Sequence, residues 1–317
     1  MRNAEFARKV VLGAAFLAIG ISQINAQDRL DSIGVNARKW TQLKDIQPTE
    51  YRLEIEERNG YAIGNARETV KALVERLYNQ SKSIPNSDYA NFSEFLRAEV
   101  SNLNRKGTEN ISLTFFEGVL SGNYDCDRGC FLVSQVALMR GHVVSFVFTR
   151  DHMLLKLDGK YFANIYGLSD PKNQTALEAK YGPVCFETDD LTRASFVVYN
   201  NLALRRHRMG DDSFAIALAD TAIALAPEVA RLYYNRAVFK TSLGDLTGAE
   251  NDLNTGLALD PADDLLFYQL YEVSMAKKDY QTAFGHLKAA MELAPNDSIY
   301  RENMSSLLRE HADIFQN

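Results

Sequence analysis

The chain has 317 residues, which is enough for two domains of ordinary size. Its hydrophobic content of 46% and charged content of 24% are those of a globular protein. The formal net charge of −6, without a cluster of basic residues, argues against a nucleic-acid partner.

The first 26 residues have the order of a secretory signal. Three basic side chains precede the apolar segment 10–21, polar residues follow it, and the segment ends at Ala26. An apolar stretch this short does not span a bilayer, which needs about 20 residues. No cysteine near Ala26 offers a site for lipid attachment. We therefore expect cleavage after Ala26 and an exported protein, periplasmic or secreted, with no membrane span after cleavage.

The next part of the chain predicts helices. Residues 27–66 are polar and have no clear period, so they form an N-terminal extension, in which Trp40 and residues 51–57 are expected to form a small cap on the domain. Apolar residues at helical spacing predict helices over residues 66–77, 92–103 and 111–120. These helices are expected to pack on a central helix and to cover a sheet.

The central helix is predicted from a run that is apolar on nearly every side. Residues 131–139 form this run, and Gly141 stands where a left-handed residue would end the helix. Three short β-branched or aromatic runs follow and predict strands; they cover residues 143–148, 153–157 and 161–165, with Asp158-Gly159 as a hairpin turn between the last two. Residues 166–190 contain two prolines and are predicted to connect this part of the chain to the next.

Three residues of this region have the chemistry of a cysteine nucleophile. Cys126 precedes the central helix, His152 enters the second predicted strand, and Asn164 lies on the third. A thiol at a helix N-terminus is stabilised as the thiolate by the helix dipole, and a nearby imidazole adds to this effect.

This order of residues resembles the transglutaminase-like superfamily, whose members are related to papain-type cysteine peptidases. The resemblance covers about residues 70–190, and the predicted domain spans residues 67–190. It implies an α+β fold in which the Cys-bearing helix packs on an antiparallel sheet. It also implies Cys126 as the nucleophile, His152 as the general base and Asn164 as the group that orients the histidine. Many bacterial relatives carry an acidic residue at the last position, so the asparagine is papain-like.

Two other interpretations of these residues remain open. The chain could keep the transglutaminase-like fold without its chemistry. Alternatively, Cys126 and Cys130 have the spacing C-x3-C and could form a metal or redox pair with His152. Three cysteines in an exported protein do not predict a disulfide scaffold. The sequence predicts no cofactor and no bound metal.

Beyond residue 196 the sequence repeats itself every 34 residues. Pro227, Pro261 and Pro295 show this spacing twice in succession. In the same frame fall Gly210-Asp211, Gly244-Asp245 and Lys278-Asp279, then Ala215, Ala249 and Ala283, and then Ala222, Gly256 and Ala290. This pattern is typical of tetratricopeptide repeats, in which small residues let paired helices approach closely.

The repeat frame predicts an all-α solenoid after the α+β domain. Three repeats are expected over residues 196–229, 230–263 and 264–297, followed by a capping helix within residues 298–317. Glu302, Arg309 and Glu310 are expected on the solvent-facing side of that cap. Arg236 and Tyr271 depart from the family pattern, so irregular packing is expected around them.

The repeats either buttress the α+β domain or bind a partner. The offsets that face inward in this family form a mixed apolar and polar surface; they are Asn200, Leu204, His207, Tyr234, Val238, Thr241, Tyr268 and Glu272. Such a surface suits an extended peptide or protein segment, and no basic set that would bind a carboxylate terminus is present.

Together these features predict an exported cysteine hydrolase or acyltransferase that acts on amide bonds of a peptide or protein, with repeats that bind a partner. A non-catalytic binding or scaffold protein of the same fold is the alternative. The residues do not separate hydrolysis from acyl transfer, and they do not predict a substrate or an oligomeric state.

Overall fold

The structure is a computed structural model that describes residues 48–61, 66–103, 126–150, 152–163 and 170–315. The first part is an α+β unit with helices α1 (Pro48–Arg58), α2 (Ala66–Ser81), α3 (Tyr89–Leu103), α4 (Cys126–Met139), α5 (Gln174–Tyr181) and α6 (Leu191–Ala194). Its strands are β1 (Val144–Thr149), β2 (Met153–Leu157), β3 (Lys160–Phe162) and β4 (Val184–Thr188). The predicted signal segment, the predicted helix over 111–120 and Asn164 lie outside the described residues.

Helix α4 is the centre of the α+β unit. All of its residues from Asp127 to Ala137 are buried, which includes most of the predicted apolar run, whereas Met139 at the end of that run is exposed. Its Phe131 ring lies 5.8 Å from Phe146 of β1, so the helix packs directly on the sheet. Gly141 ends the helix with a φ of +81°, the left-handed conformation that glycine adopts without strain.

The sheet is antiparallel, with the strand order β3-β2-β1-β4. Strand β1 pairs with β2 through Phe146 and Leu155, and β2 pairs with β3 across the turn at Asp158-Gly159. Both turn residues have positive φ, +48° and +80°, which matches the right-handed twist of a two-residue hairpin. The structure confirms this predicted turn and the predicted strand over 153–157.

Residues 166–190 contain two elements where the sequence predicted only a connection. Helix α5 begins after Asn173, whose side chain caps it by accepting a hydrogen bond from Ala176 N. Strand β4 then pairs with β1 and becomes the fourth strand of the sheet. The prediction missed β4 because its half-buried residues show no alternation and Pro183 directly precedes it.

Helix α1 lies in the segment that the sequence described as a polar extension. It buries Leu53 and Ile55, and it also buries the charged side chains of Arg52 and Glu56. Charged residues therefore stand between the apolar ones on the inner face, so no apolar stripe is visible in the sequence. Although its sequence reads as polar, this helix belongs to the core of the α+β unit.

Helical hairpins follow in the predicted frame. The first repeat contains α7 (Phe196–Arg208) and α8 (Asp212–Leu225), the second α9 (Ala230–Ser242) and α10 (Leu246–Leu259), and the third α11 (Asp264–Ala276) and α12 (Tyr280–Leu293). Helices α13 (Ser298–Glu310) and α14 (Ala312–Phe315) end the described chain. We call α7 to α14 the solenoid. None of the helices in the described part of the chain combines the length and apolar character of a membrane span.

The recurring Asp is the N-cap of the second helix in every repeat. Asp211, Asp245 and Asp279 each accept a hydrogen bond from the backbone N–H three residues later. The residue before each Asp has a positive φ, +78° for Gly210, +81° for Gly244 and +61° for Lys278. The 34-residue frame therefore repeats one turn geometry three times.

The small residues of the frame lie where helices touch. Ala215, Ala249 and Ala283 are completely buried. Gly256 replaces an alanine of the other repeats because a β-carbon there would lie 2.8 Å from Leu266 Cδ2. Glu302, Arg309 and Glu310 of α13 are exposed, as predicted for a cap.

Tyr271 and Arg236, the two residues that depart from the repeat pattern, differ in their surroundings. Tyr271 is buried in the apolar cluster at the C-terminal end of the solenoid. Arg236 forms ion pairs with Asp220 of the first repeat and Asp252 of the second, so it links α8, α9 and α10. The irregularity expected at Arg236 is therefore a charged bridge between consecutive hairpins.

One apolar core joins the α+β unit to the first repeat. The same cluster contains Leu53 of α1, Phe131 of α4, Leu202 of α7 and Leu218 of α8. The cluster also reaches Leu232 and Phe239 of α9, so the solenoid begins as part of the α+β core. Separate apolar clusters hold the rest of the second repeat and the third repeat.

Candidate functional site

A cleft of about 340 Å³ lies between the α+β unit and the first two repeats. Its lining is Cys126, Asp127, Phe148, Thr149, Arg150, His152, Met153, Phe196, Val197, Asn200, Asn201, Leu204, Val229, Arg231, Leu232 and Asn235. We call it the Cys126 cleft. It brings together two predicted catalytic residues, Cys126 and His152, with two predicted partner-binding residues, Asn200 and Leu204. Asn164, the third predicted catalytic residue, lies outside the described residues.

Cys126 is the first residue of α4 and is partly exposed. Its neighbour Asp127 is buried and accepts hydrogen bonds from Arg52 Nη1 at 2.6 Å and from Asn201 Nδ2 at 2.9 Å. The carboxylate beside the thiol is thus neutralised by a buried guanidinium and held by an amide of the first repeat.

His152 directly precedes β2 and forms hydrogen bonds with Thr149 of β1. Its backbone N–H donates to Thr149 Oγ1 at 3.1 Å, and its carbonyl accepts from Thr149 N at 2.9 Å. The imidazole packs edge-on against Tyr181 of α5, with ring centroids 5.3 Å apart. Burial raises the pKa of Tyr181, so this neighbour stays a neutral hydroxyl.

Cys130 lies one turn further along α4 and does not line the Cys126 cleft. It is fully buried, and its thiol donates to Met153 O of β2 at 3.4 Å. Over the residues that the structure describes, no three His, Cys, Asp or Glu side chains are grouped to hold a metal ion. The geometry therefore gives no support to a Cys126–Cys130 metal or redox pair.

The predicted partner-binding residues of the first repeat differ in their contacts. Asn200 accepts a hydrogen bond from Asn235 Nδ2 at 2.7 Å at the edge of the cleft. His207 lies further along the helix, where its Nδ1 is 2.5 Å from Asp212 Oδ1. This contact and the ring of Phe239, 5.0 Å away, hold the histidine within the solenoid.

The predicted residues of the later repeats are partly buried. Tyr268 stacks on Tyr300 at 5.0 Å and accepts a hydrogen bond from Asn303 Nδ2 at 3.0 Å. Burial and the hydrogen bond to Glu272 raise the pKa of Tyr268 to about 12. Tyr234, Val238 and Thr241 are also half-buried on the second repeat. A partner at these positions stays a prediction.

Sequence reasoning missed several polar residues of the cleft, among them Arg150, Asn201, Arg231 and Asn235. A signal for two of them was present, because Asn201 and Asn235 stand 34 residues apart, followed in the frame by Gln269 and Asn303. The arginines carried no such signal. They come to the cleft only through the docking of the turn after β1 and of α9.

Comparison with known proteins finds no matching family model. A rice protein (Oryza sativa subsp. japonica) described as "Protein SGT1 homolog" is 32% identical over 96 residues, which is 30% of this chain and 26% of that protein. The chain thus spans about a quarter of the length of this curated relative.

Several solved structures resemble part of the chain. The first TPR domain of the human RPAP3 protein is 19% identical, covers 38% of this chain and 95% of its own, and has a TM-score of 0.37. The Sgt2 TPR domain from Aspergillus fumigatus is 18% identical, covers 39% of this chain and 83% of its own, and has a TM-score of 0.37. The Yersinia enterocolitica type III secretion translocator chaperone SycD is 17% identical, covers 39% of this chain and 96% of its own, and has a TM-score of 0.36.

The three capped hairpins in a strict 34-residue frame define the class of the C-terminal part: it is a tetratricopeptide-repeat solenoid. The N-terminal part is a small antiparallel sheet covered by helices, with which the first repeat shares its core.

Proposed function

We propose that this protein binds an extended peptide or protein segment in the Cys126 cleft, and that Cys126 acts there as a nucleophile on an amide bond. The observation that carries the proposal is the composition of the cleft. Cys126 at a helix N-terminus and His152 line one cleft together with amide-bearing and apolar residues of the repeats. The transglutaminase-like resemblance supports the same roles for Cys126 and His152.

The chemistry follows from these residue types. His152 takes the proton of the Cys126 thiol, and the sulfur forms a bond to the amide carbonyl carbon. Backbone N–H groups at the start of α4 stabilise the oxyanion. When the C–N bond breaks, the imidazolium returns its proton to the leaving amine, and a thioester remains. Water or a second amine then releases the acyl group, and Asn164 would orient the imidazole.

The repeats supply the binding surface in this proposal. The half-buried Asn200 presents an amide group that suits the backbone of an extended chain, and the half-buried Leu204 offers an apolar contact. Human RPAP3, whose second TPR domain in complex with an HSP70 peptide is among the similar structures, uses the same class of repeat for a peptide. The partner proposed here is likewise a peptide or protein.

Binding without chemistry is the second candidate. One observation favours it: Asp127, next to the thiol, is engaged by Arg52 and Asn201 in a buried network that stabilises the fold whether or not Cys126 reacts. In that case both parts of the chain would only present surfaces to partners.

Alkylation of Cys126 distinguishes the two candidates. In the proposed enzyme, iodoacetamide is expected to react with Cys126 down to about pH 6, because the helix N-terminus and His152 stabilise the thiolate. His152→Ala is expected to remove this low-pH reaction. Peptide mass spectrometry measures each thiol separately, and the fully buried Cys130 serves as the control for an intact fold.

Cys126→Ser gives the background of the same measurement. If Cys126 reacts like an ordinary thiol and ignores His152, catalysis is excluded and the binding protein remains. If Cys130 reacts at the same rate as Cys126, the variant has unfolded and is replaced by His152→Gln, which keeps a polar side chain in the turn.

We also propose that the protein is exported and that the mature chain begins at Gln27. The basic, apolar and polar order of residues 1–26 supports this proposal. Recovered from the cell envelope or medium of its host, the protein is expected to give Gln27 as its first residue in N-terminal sequencing. An intact Met1 in that fraction would contradict cleavage.

A further inference from the structure

The inner face of the solenoid continues beyond the Cys126 cleft onto the third repeat and α13. Asn200 lines the cleft, and the residues at the same offset of the 34-residue frame are Tyr234, Tyr268 and Glu302. The two tyrosines are half-buried, and Glu302 is exposed. With Glu272, which is half-buried one helical turn after Tyr268, they form a surface of tyrosines and carboxylates. We call it the Tyr268 face; it consists of Tyr234, Tyr268, Glu272 and Glu302.

The tyrosine hydroxyls at this end of the solenoid are held by carboxylates. The Tyr268 ring stacks on Tyr300, with ring centroids 5.0 Å apart, and Tyr300 Oη donates to Asp264 Oδ2 at 2.6 Å. Tyr268 Oη forms a hydrogen bond with Glu272 and accepts another from Asn303 Nδ2 at 3.0 Å. The rings and the carboxylates are thus fixed beside one another.

The carboxylates of this region have no cation of their own. Among the ion pairs of the residues that the structure describes, none joins a lysine, arginine or histidine to Asp264, Glu272 or Glu302. The nearby Arg231 is already engaged, because its Nη2 lies 3.7 Å from Asp263 Oδ2 and its guanidinium lies 5.2 Å from the centroid of the Tyr234 ring. The Tyr268 face is therefore negative.

A buried carboxylate beside Tyr234 adds to this negative field. Asp263 is 2% exposed; its Oδ1 accepts from Leu265 N at 3.0 Å, whereas Oδ2 accepts no hydrogen bond from the described residues. Burial raises the pKa of Asp263, which means that its charged form is poorly solvated. Burial and the charges of Asp263 and Glu272 also raise the pKa of Tyr234. A further cation beside Tyr234 would offset these unfavourable charges.

We propose that the Tyr268 face binds a lysine or arginine side chain of the partner, so that the protein selects peptide segments that carry a basic residue. This inference rests on the peptide-binding part of the proposed function. The half-buried tyrosine rings suit the alkyl stem of such a side chain, and the carboxylates suit its charged head. The charge of the occupant follows from complementarity with a face that carries two glutamates and no cation.

Binding of short fluorescent peptides to the full chain tests this inference. The probe is a set of peptide pools in which one position is fixed and the others are random. At the best position, wild type is expected to bind the pools with fixed lysine or arginine about fivefold more tightly than the pool with fixed glutamate. This ratio is expected to fall as the salt concentration rises, because exposed charges are screened.

Two variants and a matched control locate the preference. Glu272→Gln removes the charge but keeps an acceptor for Tyr268, and it is expected to lower the lysine-to-glutamate ratio to about twofold or less. Glu302→Gln is expected to lower the ratio in the same direction. Glu292→Gln removes the same charge from α12, where the glutamate is 69% exposed and outside the Tyr268 face, and it should leave the ratio unchanged.

Each outcome decides the inference. A ratio that Glu272→Gln and Glu302→Gln leave unchanged overturns it, and so does an equal fall in Glu292→Gln, which would show an effect of net charge alone. A preference for the glutamate pool overturns it and leaves peptide binding intact. Absence of binding to every pool overturns both. If circular dichroism shows that Glu272→Gln is unfolded, the exposed Glu302 decides.

The chemical part of the proposed function is measured separately. Alkylation of Cys126 and its dependence on His152 do not involve the Tyr268 face. Loss of the lysine preference together with an unchanged alkylation profile would therefore overturn this inference without touching the proposed nucleophile.

Discussion

Replacing Arg52 with Met is expected to lower the free energy of unfolding by about 3–5 kcal/mol, because it leaves buried carboxylates without their cation. The Arg52 side chain is 1% exposed, and its Nη1 donates to Asp127 Oδ2 at 2.6 Å. Its Nε also lies 3.5 Å from Glu56 Oε1. Two carboxylates would therefore lose the guanidinium that neutralises them in the core.

Urea unfolding of the full chain, followed by circular dichroism, measures this loss. The double variant Arg52→Met/Asp127→Asn is expected to be more stable than Arg52→Met, since it removes the uncompensated charge and keeps an acceptor for Asn201. Lys288→Met is the control, because Lys288 and Glu292 are 4.0 Å apart at 63% and 69% exposure. If Arg52→Met lowers the free energy of unfolding by no more than Lys288→Met does, the expectation is contradicted.

Replacing Arg236 with Met is expected to lower the free energy of unfolding by about 2–4 kcal/mol. This loss is somewhat smaller than the one expected for Arg52→Met, because the Arg236 side chain is 18% exposed to solvent. Its Nε lies 2.8 Å from Asp252 Oδ2, and its Nη1 lies 2.6 Å from Asp220 Oδ1. Burial alone would lower the pKa of Arg236, but hydrogen bonds and charges from Asp252 and Asp220 raise it. The guanidinium thus stays charged and links the first two repeats.

Arg236→Lys gives the informative comparison. Lysine keeps the positive charge but lacks the planar guanidinium that binds carboxylates with two hydrogen bonds. Arg236→Lys is therefore expected to lose about half of the unfolding free energy that Arg236→Met loses. Lys240 Nζ already lies 2.8 Å from Asp252 Oδ2 and would partly compensate for the missing guanidinium. Thermal unfolding in the wild type and both variants provides the measurement. Equal melting temperatures in all three would show that the bridge between the repeats contributes nothing to stability.

Local patterns predicted the elements whose cause is local. The Asp158-Gly159 hairpin follows from two residues that accept positive φ. Helix α4 follows from a run that is apolar on nearly every side, and the solenoid follows from small residues and caps repeated every 34 positions. In each case the residues that shape the element lie within it or one period away.

Elements stabilised by distant contacts were not predicted. Helix α1 has no apolar stripe because Arg52 and Glu56 lie on its buried face, and their partner Asp127 is on α4. The sequence of β4 shows no alternation of apolar and polar residues, and this segment becomes a strand through its pairing with β1. The prediction for residues 166–190 was therefore wrong, although the repeats that follow were predicted in the correct frame.

The sequence by itself determined the local structure and the chemical types of the candidate site: a cysteine at the start of a buried helix, a histidine before a strand, and repeats with a mixed inner face. Only the tertiary structure decided which of them share a cavity. The physical reason is the core that continues from the α+β unit into the first repeat, because it docks the solenoid beside α4. That docking brings Asn201 to Asp127 and Asp260 to Arg150, across separations of 74 and 110 residues that no local pattern records.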